Sequence, residues 1–68
     1  MWVKWVTIHE SYGFSQFSQE LRRFLETNGI RVRIVMARRA GNLYELQVPK
    51  SQQTKAEQYR DTFKEAWQ

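Results

Sequence analysis

Residues 14–37 read FSQFSQELRRFLETNGIRVRIVMA, and this stretch decides the fold. Its first half places apolar residues at helical spacing, and its second half alternates apolar and polar residues as a half-covered strand does. Between the halves stands Gly29, which can take the left-handed conformation that ends many helices. The stretch therefore predicts a helix that stops at Asn28-Gly29 and a strand over residues 30–37.

The helix has two candidate N-caps, Ser11 and Ser15, because a serine oxygen can accept from a free N–H of the first turn. Its apolar stripe is Phe14, Phe17, Leu21, Phe24 and Leu25. In the following strand one face is Ile30, Val32, Ile34 and Met36, and the other includes Arg31, Arg33, Val35 and Ala37. The first face is apolar throughout, so we expect it to pack against the helix.

Two further strands are predicted on either side. Residues 1–9 are rich in Trp, Val, Thr and Ile, and we expect Val3, Trp5 and Thr7 to face inward with Lys4 facing out. Residues 38–42 predict a turn, and residues 43–48 a third strand that Pro49 stops.

A second helix closes the chain. Ser51 or Thr54 is the expected N-cap, and Thr54 with Glu57 fits a capping box. The predicted buried stripe is Ala56, Tyr59, Phe63, Ala66 and Trp67.

Two helices with one apolar stripe each need one shared apolar sheet face. We therefore expect a single βαββα domain over residues 1–68, of class α+β, with both helices on one face of a three-stranded mixed sheet. Because charged strands suit sheet edges, the arginine-bearing second strand is placed outside, which gives the order 1-3-2. This is the ferredoxin-like plan without its last strand. It leaves the first strand as a free edge and one sheet face uncovered.

Composition excludes several classes of protein. The 68 residues contain no cysteine and one histidine, so disulfides, thiolate metal ligands and histidine-rich metal sites are ruled out. We expect no cofactor. No stretch is long and apolar enough to cross a membrane, and the N-terminus has none of the features of a signal peptide, so a cytoplasmic location is expected.

Catalysis finds little support in the sequence. His9-Glu10 lies where a strand meets a loop, but the chain offers the histidine few partners, and a loop histidine bonded to backbone or water is the favoured interpretation. The serines are explained as caps or helix-surface residues, and no base stands beside them. The glycines are isolated, without phosphate-loop spacing. We therefore expect a binding protein and not an enzyme.

The positive charge of the chain is concentrated in one segment. Six arginines against Glu26 alone give residues 22–39 a net charge of +5, which leaves −1 for the rest of the +4 chain. Arginine presents a planar fork suited to carboxylate and phosphate. The predicted binding residues are four of these arginines with two neighbours on the outer face of the sheet: Trp2, Lys4, Arg31, Arg33, Arg38 and Arg39.

The chain resembles a family of small prokaryotic proteins of unknown function that is assigned to signal transduction and is related in fold to part of a PII-like domain. The resemblance lies in residues 2–9 (WVKWVTIH), in Leu21 with residues 24–32 (FLETNGIRV), and in residues 44–51 (YELQVPKS). It implies a truncated ferredoxin-like fold and a regulatory or accessory role. It brings no catalytic residues with it.

Three interpretations of the arginine patch stay open. The arginines can simply keep an edge strand soluble, the outer face can dock on a protein partner or on a second copy as a homodimer, or it can bind RNA or DNA through phosphates and stacking. An RNA-binding sheet would carry aromatic residues on its central strand, where this chain has Leu43, Glu45 and Gln47. The leading function is therefore that of a regulatory or accessory protein that makes protein contact through its open sheet face and the free edge of its first strand, and nucleic-acid binding through the arginines is the alternative.

Overall fold

Three strands and two helices follow one another in the order β-α-β-β-α. The computed structural model describes residues 2–39 and 41–67, with the side chains of residues 38 and 39 outside the description. The elements are β1 (Trp5–Tyr12), α1 (Gln16–Thr27), β2 (Arg33–Arg39), β3 (Gly41–Pro49), a 3₁₀ turn (Lys50–Gln52) and α2 (Gln53–Ala66). The predicted element order is confirmed, although several boundaries differ by a few residues.

The sheet has the order β1-β3-β2, as predicted from the charge of the second strand. Both neighbouring pairs are antiparallel. The prediction of a mixed sheet was wrong in this respect, because the two strands that run parallel, β1 and β2, are separated by β3 and never pair. With β3 in the middle, β1 and β2 each pair with only one strand.

The prediction for the facing of β1 was also wrong. Val6 packs against the core and Ile8 is 5% exposed within it, whereas Thr7 lies on the opposite face beside Glu45. The register shifts between Thr7 and His9, so β1 carries a β-bulge. A bulge inserts an extra residue, and here Ile8 and His9 both lie on the helix side.

The start of α1 follows one of the two sequence alternatives. Ser15 is the N-cap, and its Oγ accepts from the Ser18 N–H at 3.2 Å. Ser11 belongs to β1 instead, where its Oγ lies 2.9 Å from the Oγ of the fully buried Ser18. Ser11 therefore gives the buried Ser18 hydroxyl a hydrogen-bond partner and joins β1 to α1.

The end of α1 is a glycine cap, as predicted. Gly29 has φ +81°, and its N–H donates to the Glu26 carbonyl at 3.0 Å while the Ile30 N–H donates to the Leu25 carbonyl at 3.0 Å. This pair of bonds is the Schellman motif. Ile30 and Leu25 are both buried in the core, so the cap also directs the chain back onto the sheet.

The start of α2 differs from the prediction. The N-cap residue is Gln52, without a side-chain cap bond; Ser51 lies in the 3₁₀ turn and Thr54 in the helix. The Gln52 side chain bonds elsewhere. Its Oε1 accepts from the Arg31 N–H at 2.9 Å and its Nε2 donates to the Gly29 carbonyl at 3.1 Å. Gln52 thus holds the segment between α1 and β2, a long-range contact that capping rules do not consider.

The core lies between the helices and the inner face of the sheet. Its buried members are Ile8, Leu21, Leu25, Ile30, Leu46, Val48 and Ala56. Tyr59 and Phe63 of α2 pack against it as predicted, whereas Ala66 is exposed and Trp67 is 36% exposed. Met36 of the predicted inward set is 43% exposed, so the helices cover the β2 side of the sheet incompletely.

The predicted turn at residues 38–42 is mostly paired strand, because Arg38 and Arg39 pair with Asn42 and Gly41. Ala40 lies outside the described residues. Gly41 has φ +109°, a conformation that side chains rarely adopt. Within residues 2–39 and 41–67, neither helix is long and apolar enough to cross a membrane.

Candidate functional site on the outer sheet face

The outer face of the sheet, opposite the helices, carries one charged side chain laid over an aromatic ring. Arg33 of β2 reaches across β3, and its Cζ lies 4.8 Å from the centre of the Trp5 ring of β1. Its Nε donates to Gln47 Oε1 of the central strand at 2.9 Å. Register explains the bridge, because Gln47 is paired with Arg33, and its neighbour but one, Pro49, is paired with Trp5.

Gln47 connects this pair to a second polar group. Gln47 Nε2 donates to Thr7 Oγ1 at 3.2 Å and approaches Glu45 Oε1 at 3.3 Å. Thr7 Oγ1 donates in turn to Glu45 Oε1 at 3.2 Å. The five residues form one network across three strands, which we call the outer-face network: Trp5, Thr7, Arg33, Glu45 and Gln47.

The network fixes the orientation of Arg33. Stacking on Trp5 and the bond from Nε leave the terminal guanidinium nitrogens without an ion-pair partner among the described residues. These nitrogens present two donors in a planar fork, the arrangement that a carboxylate or phosphate matches. The arrangement can therefore bind an anionic group next to an aromatic ring.

The structure separates most of the predicted binding residues. Arg33 lies in the network, but Arg31 precedes β2 and is not on a strand face with it, so the expectation that the two share one face was wrong. Lys4 and Trp2 precede β1 and line a groove beside Lys50. The side chains of Arg38 and Arg39 lie outside the described residues.

Trp5 and Thr7 were missed because the facing of β1 was inverted. Val6 and Ile8 make one face of this segment apolar, and Trp5 with Thr7 mark the other. A tryptophan is apolar enough to be expected in the core, but Trp5 lies on the outer face, where Arg33 reaches it across β3. The alternation of apolar Val6 and Ile8 with polar Thr7 is the sequence signal for the facing of β1.

A second group of titratable side chains lies on the inner side, at the bulge. The His9 ring packs against Phe17 at 5.2 Å between centroids, and its Nε2 is buried without a hydrogen-bond partner among the described residues. Burial lowers the pKa of His9, and the positive charges of Lys64 and Arg60 lower it further, while Glu10 acts in the opposite direction. The imidazole therefore stays uncharged at neutral pH.

Arg60 holds the bulge from α2. Its Nη1 donates to the Ile8 carbonyl at 2.6 Å, and its Nη2 lies 3.0 Å from Asp61 Oδ1. Sequence reasoning missed this residue, because nothing in the helical pattern indicates which backbone carbonyl an arginine will reach. Through these two contacts Arg60 joins α2 to the bulge of β1 beside His9.

Comparisons with protein-family models, with curated proteins and with solved structures found no significant match. No group of three His, Cys, Asp or Glu side chains within residues 2–39 and 41–67 is placed to hold a metal ion.

Proposed function

We propose that this chain is a small cytoplasmic regulatory or accessory protein that binds another protein through the outer face of its sheet, without catalysis. The observation that carries the proposal is the guanidinium of Arg33, stacked on Trp5 and held by Gln47 on the sheet face opposite α1 and α2. Tryptophan and arginine are the residues that most often dominate binding energy at protein interfaces.

Pre-organisation supports this function. A long side chain that is ordered before binding loses less entropy when it binds, so more of its interaction energy is available as affinity. Gln47 and Trp5 order Arg33 from two directions. Tyr12, 68% exposed and paired with Leu43, adds aromatic surface to the same face.

The charges of the outer face favour a protein over a nucleic acid. Glu10 is paired directly with Glu45 across β1 and β3, so two carboxylates lie on the sheet face that carries Arg33. A phosphate backbone would be repelled there, whereas a protein surface of mixed charge can match both signs. Nucleic-acid binding through the arginines therefore ranks second.

The edge of β1 contributes less to the proposed contact than the face does. Arg60 occupies the Ile8 carbonyl, and a bulge interrupts the regular ladder that an added strand needs. We further propose the finer fold, a ferredoxin-like plan whose last strand would pair with β1, and membership in the signal-transduction family that the chain resembles. The order β1-β3-β2 supports the first of these proposals.

Matched arginine variants test the function. Arg33→Ser and Trp5→Ala remove the stacked pair, and Arg31→Ser removes an exposed arginine whose backbone N–H, not its side chain, bonds Gln52. Each variant is used as bait for quantitative capture of partners, and its sedimentation is compared with that of the parent to detect a homodimer. We expect the partner, or the dimer, to be lost with Arg33→Ser and Trp5→Ala and kept with Arg31→Ser.

A parallel titration with structured RNA at low and moderate salt separates the alternative, since phosphate-driven binding weakens steeply with salt. Equal capture by the Arg33 and Arg31 variants, with a monomer throughout, would refute protein contact at this face. RNA binding that weakens with salt and is lost with Arg33→Ser would instead support nucleic-acid binding as the function.

A further inference from the structure

A groove with two lysines lies where the chain enters β1 and leaves β3. The Lys50 N–H donates to the Lys4 carbonyl at 2.7 Å, which holds the two residues side by side. The groove is open to solvent, has a volume of about 320 Å³ and is lined by Trp2, Val3, Lys4, Pro49, Lys50 and Ser51. Pro49 is buried and the other five residues are exposed, so their side chains are accessible to a ligand.

The groove carries positive charge without a compensating carboxylate. None of its six lining residues is acidic, and neither lysine takes part in an ion pair among the described residues. The first turns of the 3₁₀ segment and of α2 are likewise free of acidic residues. The two lysines are adjacent through their backbones, and an anion bound between two like charges relieves their mutual repulsion.

Trp2 adds a flat apolar surface to the same groove. Its side chain is 99% exposed, so it contributes nothing to the core. A planar ring stacked on an indole loses solvent-exposed apolar area on both partners, which is how proteins hold bases without reading their identity.

We propose that this groove binds a nucleoside phosphate, with the phosphate between Lys4 and Lys50 and the base stacked on Trp2. Ser51 is an exposed residue of the lining, and its hydroxyl can donate a hydrogen bond to a phosphate oxygen. The volume falls at the lower end of the roughly 300–1,000 Å³ typical of ligand pockets, which suits a single nucleotide. This site uses none of the residues of the outer-face network, so it is independent of the proposed protein contact.

Titration of the ¹⁵N-labelled chain with adenosine 5′-monophosphate, adenosine, inorganic phosphate and a 5′-phosphorylated tetranucleotide tests the proposal. We expect the monophosphate to bind roughly tenfold more tightly than adenosine or phosphate alone, with amide shifts at residues 2–4 and 49–51. If the tetranucleotide binds more tightly than the monophosphate, the ligand is the end of a nucleic acid. If it binds no more tightly, the ligand is a free nucleotide.

Variants locate the binding. Lys4→Gln, Lys50→Gln and Trp2→Ala should each weaken the monophosphate roughly tenfold, and all three positions are exposed, so folding is preserved. Lys55→Gln, which changes an exposed lysine of α2, should leave it unchanged. Binding no tighter than that of phosphate, shifts elsewhere, or an equal loss with Lys55→Gln would overturn the proposal.

Discussion

Replacing Arg60 by methionine should destabilise the fold through the bulge of β1. Methionine keeps an unbranched side chain but has no donor, so the Ile8 carbonyl loses the bond it receives from Arg60 Nη1. Asp61→Asn is the matched control, because it removes only the neighbouring ion pair of the same guanidinium.

The expected magnitudes differ enough to be separated. A hydrogen bond to a charged group contributes about 1.5–3 kcal/mol, and the Arg60 side chain is 25% exposed, which places its bond in the lower part of that range. The Asp61 side chain is 64% exposed, and surface ion pairs contribute about 0–1 kcal/mol. A domain of this size has about 3–5 kcal/mol in total, so Arg60→Met should remove roughly a third to a half of its stability.

Urea unfolding followed by tryptophan fluorescence measures both variants, with the free energy of unfolding extrapolated to water. Arg60→Met should lower the midpoint clearly and Asp61→Asn barely. Equal midpoints for the two variants would refute the argument, since they would mean that the Ile8 bond contributes no more than a surface ion pair. Loss of the Arg60 charge should also raise the pKa of His9.

Three other results are expected. Because burial lowers the pKa of His9 in the fold, the unfolded chain takes up the His9 proton at a higher pH than the folded chain does. The contribution of His9 to stability should therefore be full above about pH 6.5 and fall as the pH drops below that value. Urea midpoints measured between pH 7.5 and 5.5 should show this fall, and His9→Phe should reduce it. Gly29→Ala should cost about 1–2 kcal/mol by thermal unfolding from its positive φ alone, because nothing lies within 4 Å of the added Cβ, and Gly29→Asn should cost less. Gln52→Ala should destabilise by about 1 kcal/mol per lost bond, and faster amide exchange at Arg31 should accompany it; unchanged exchange there would contradict the Gln52 bridge.

Local rules predicted α1 well, because everything that defines it is close in sequence. Ser15 caps residues three positions away, and Gly29 ends the helix through bonds to Glu26 and Leu25. Strand order was also predictable, since the charge on β2 marks it as an edge and leaves β3 for the middle.

Long-range contacts explain the errors. The bulge at Ile8 and His9 exists in relation to β3 and to Arg60, 52 positions away, so alternation within β1 could not reveal it. Capping rules did not predict the start of α2 for the same reason, because Gln52 bonds to Gly29 and Arg31 in the segment between α1 and β2.

The candidate site was half predictable. Arginine chemistry identified Arg33, but its ring partner depends on the register of two strand pairs that meet on β3. Arg31 was grouped with it by strand alternation, which fails because β2 begins only at Arg33.

The central position of β3 also governs the order of events as the chain is made. Strands β1 and β2 both emerge from the ribosome before β3, and in this sheet neither can form a ladder bond until Gly41–Pro49 has followed. The β2–β3 hairpin closes over few residues, whereas β1 must wait for a partner about 40 positions downstream, a loop closure that slows folding. Until β3 is available, β1 therefore has no ladder partner, and α1, which ends at Thr27, is the first element able to cover its apolar residues Val6 and Ile8.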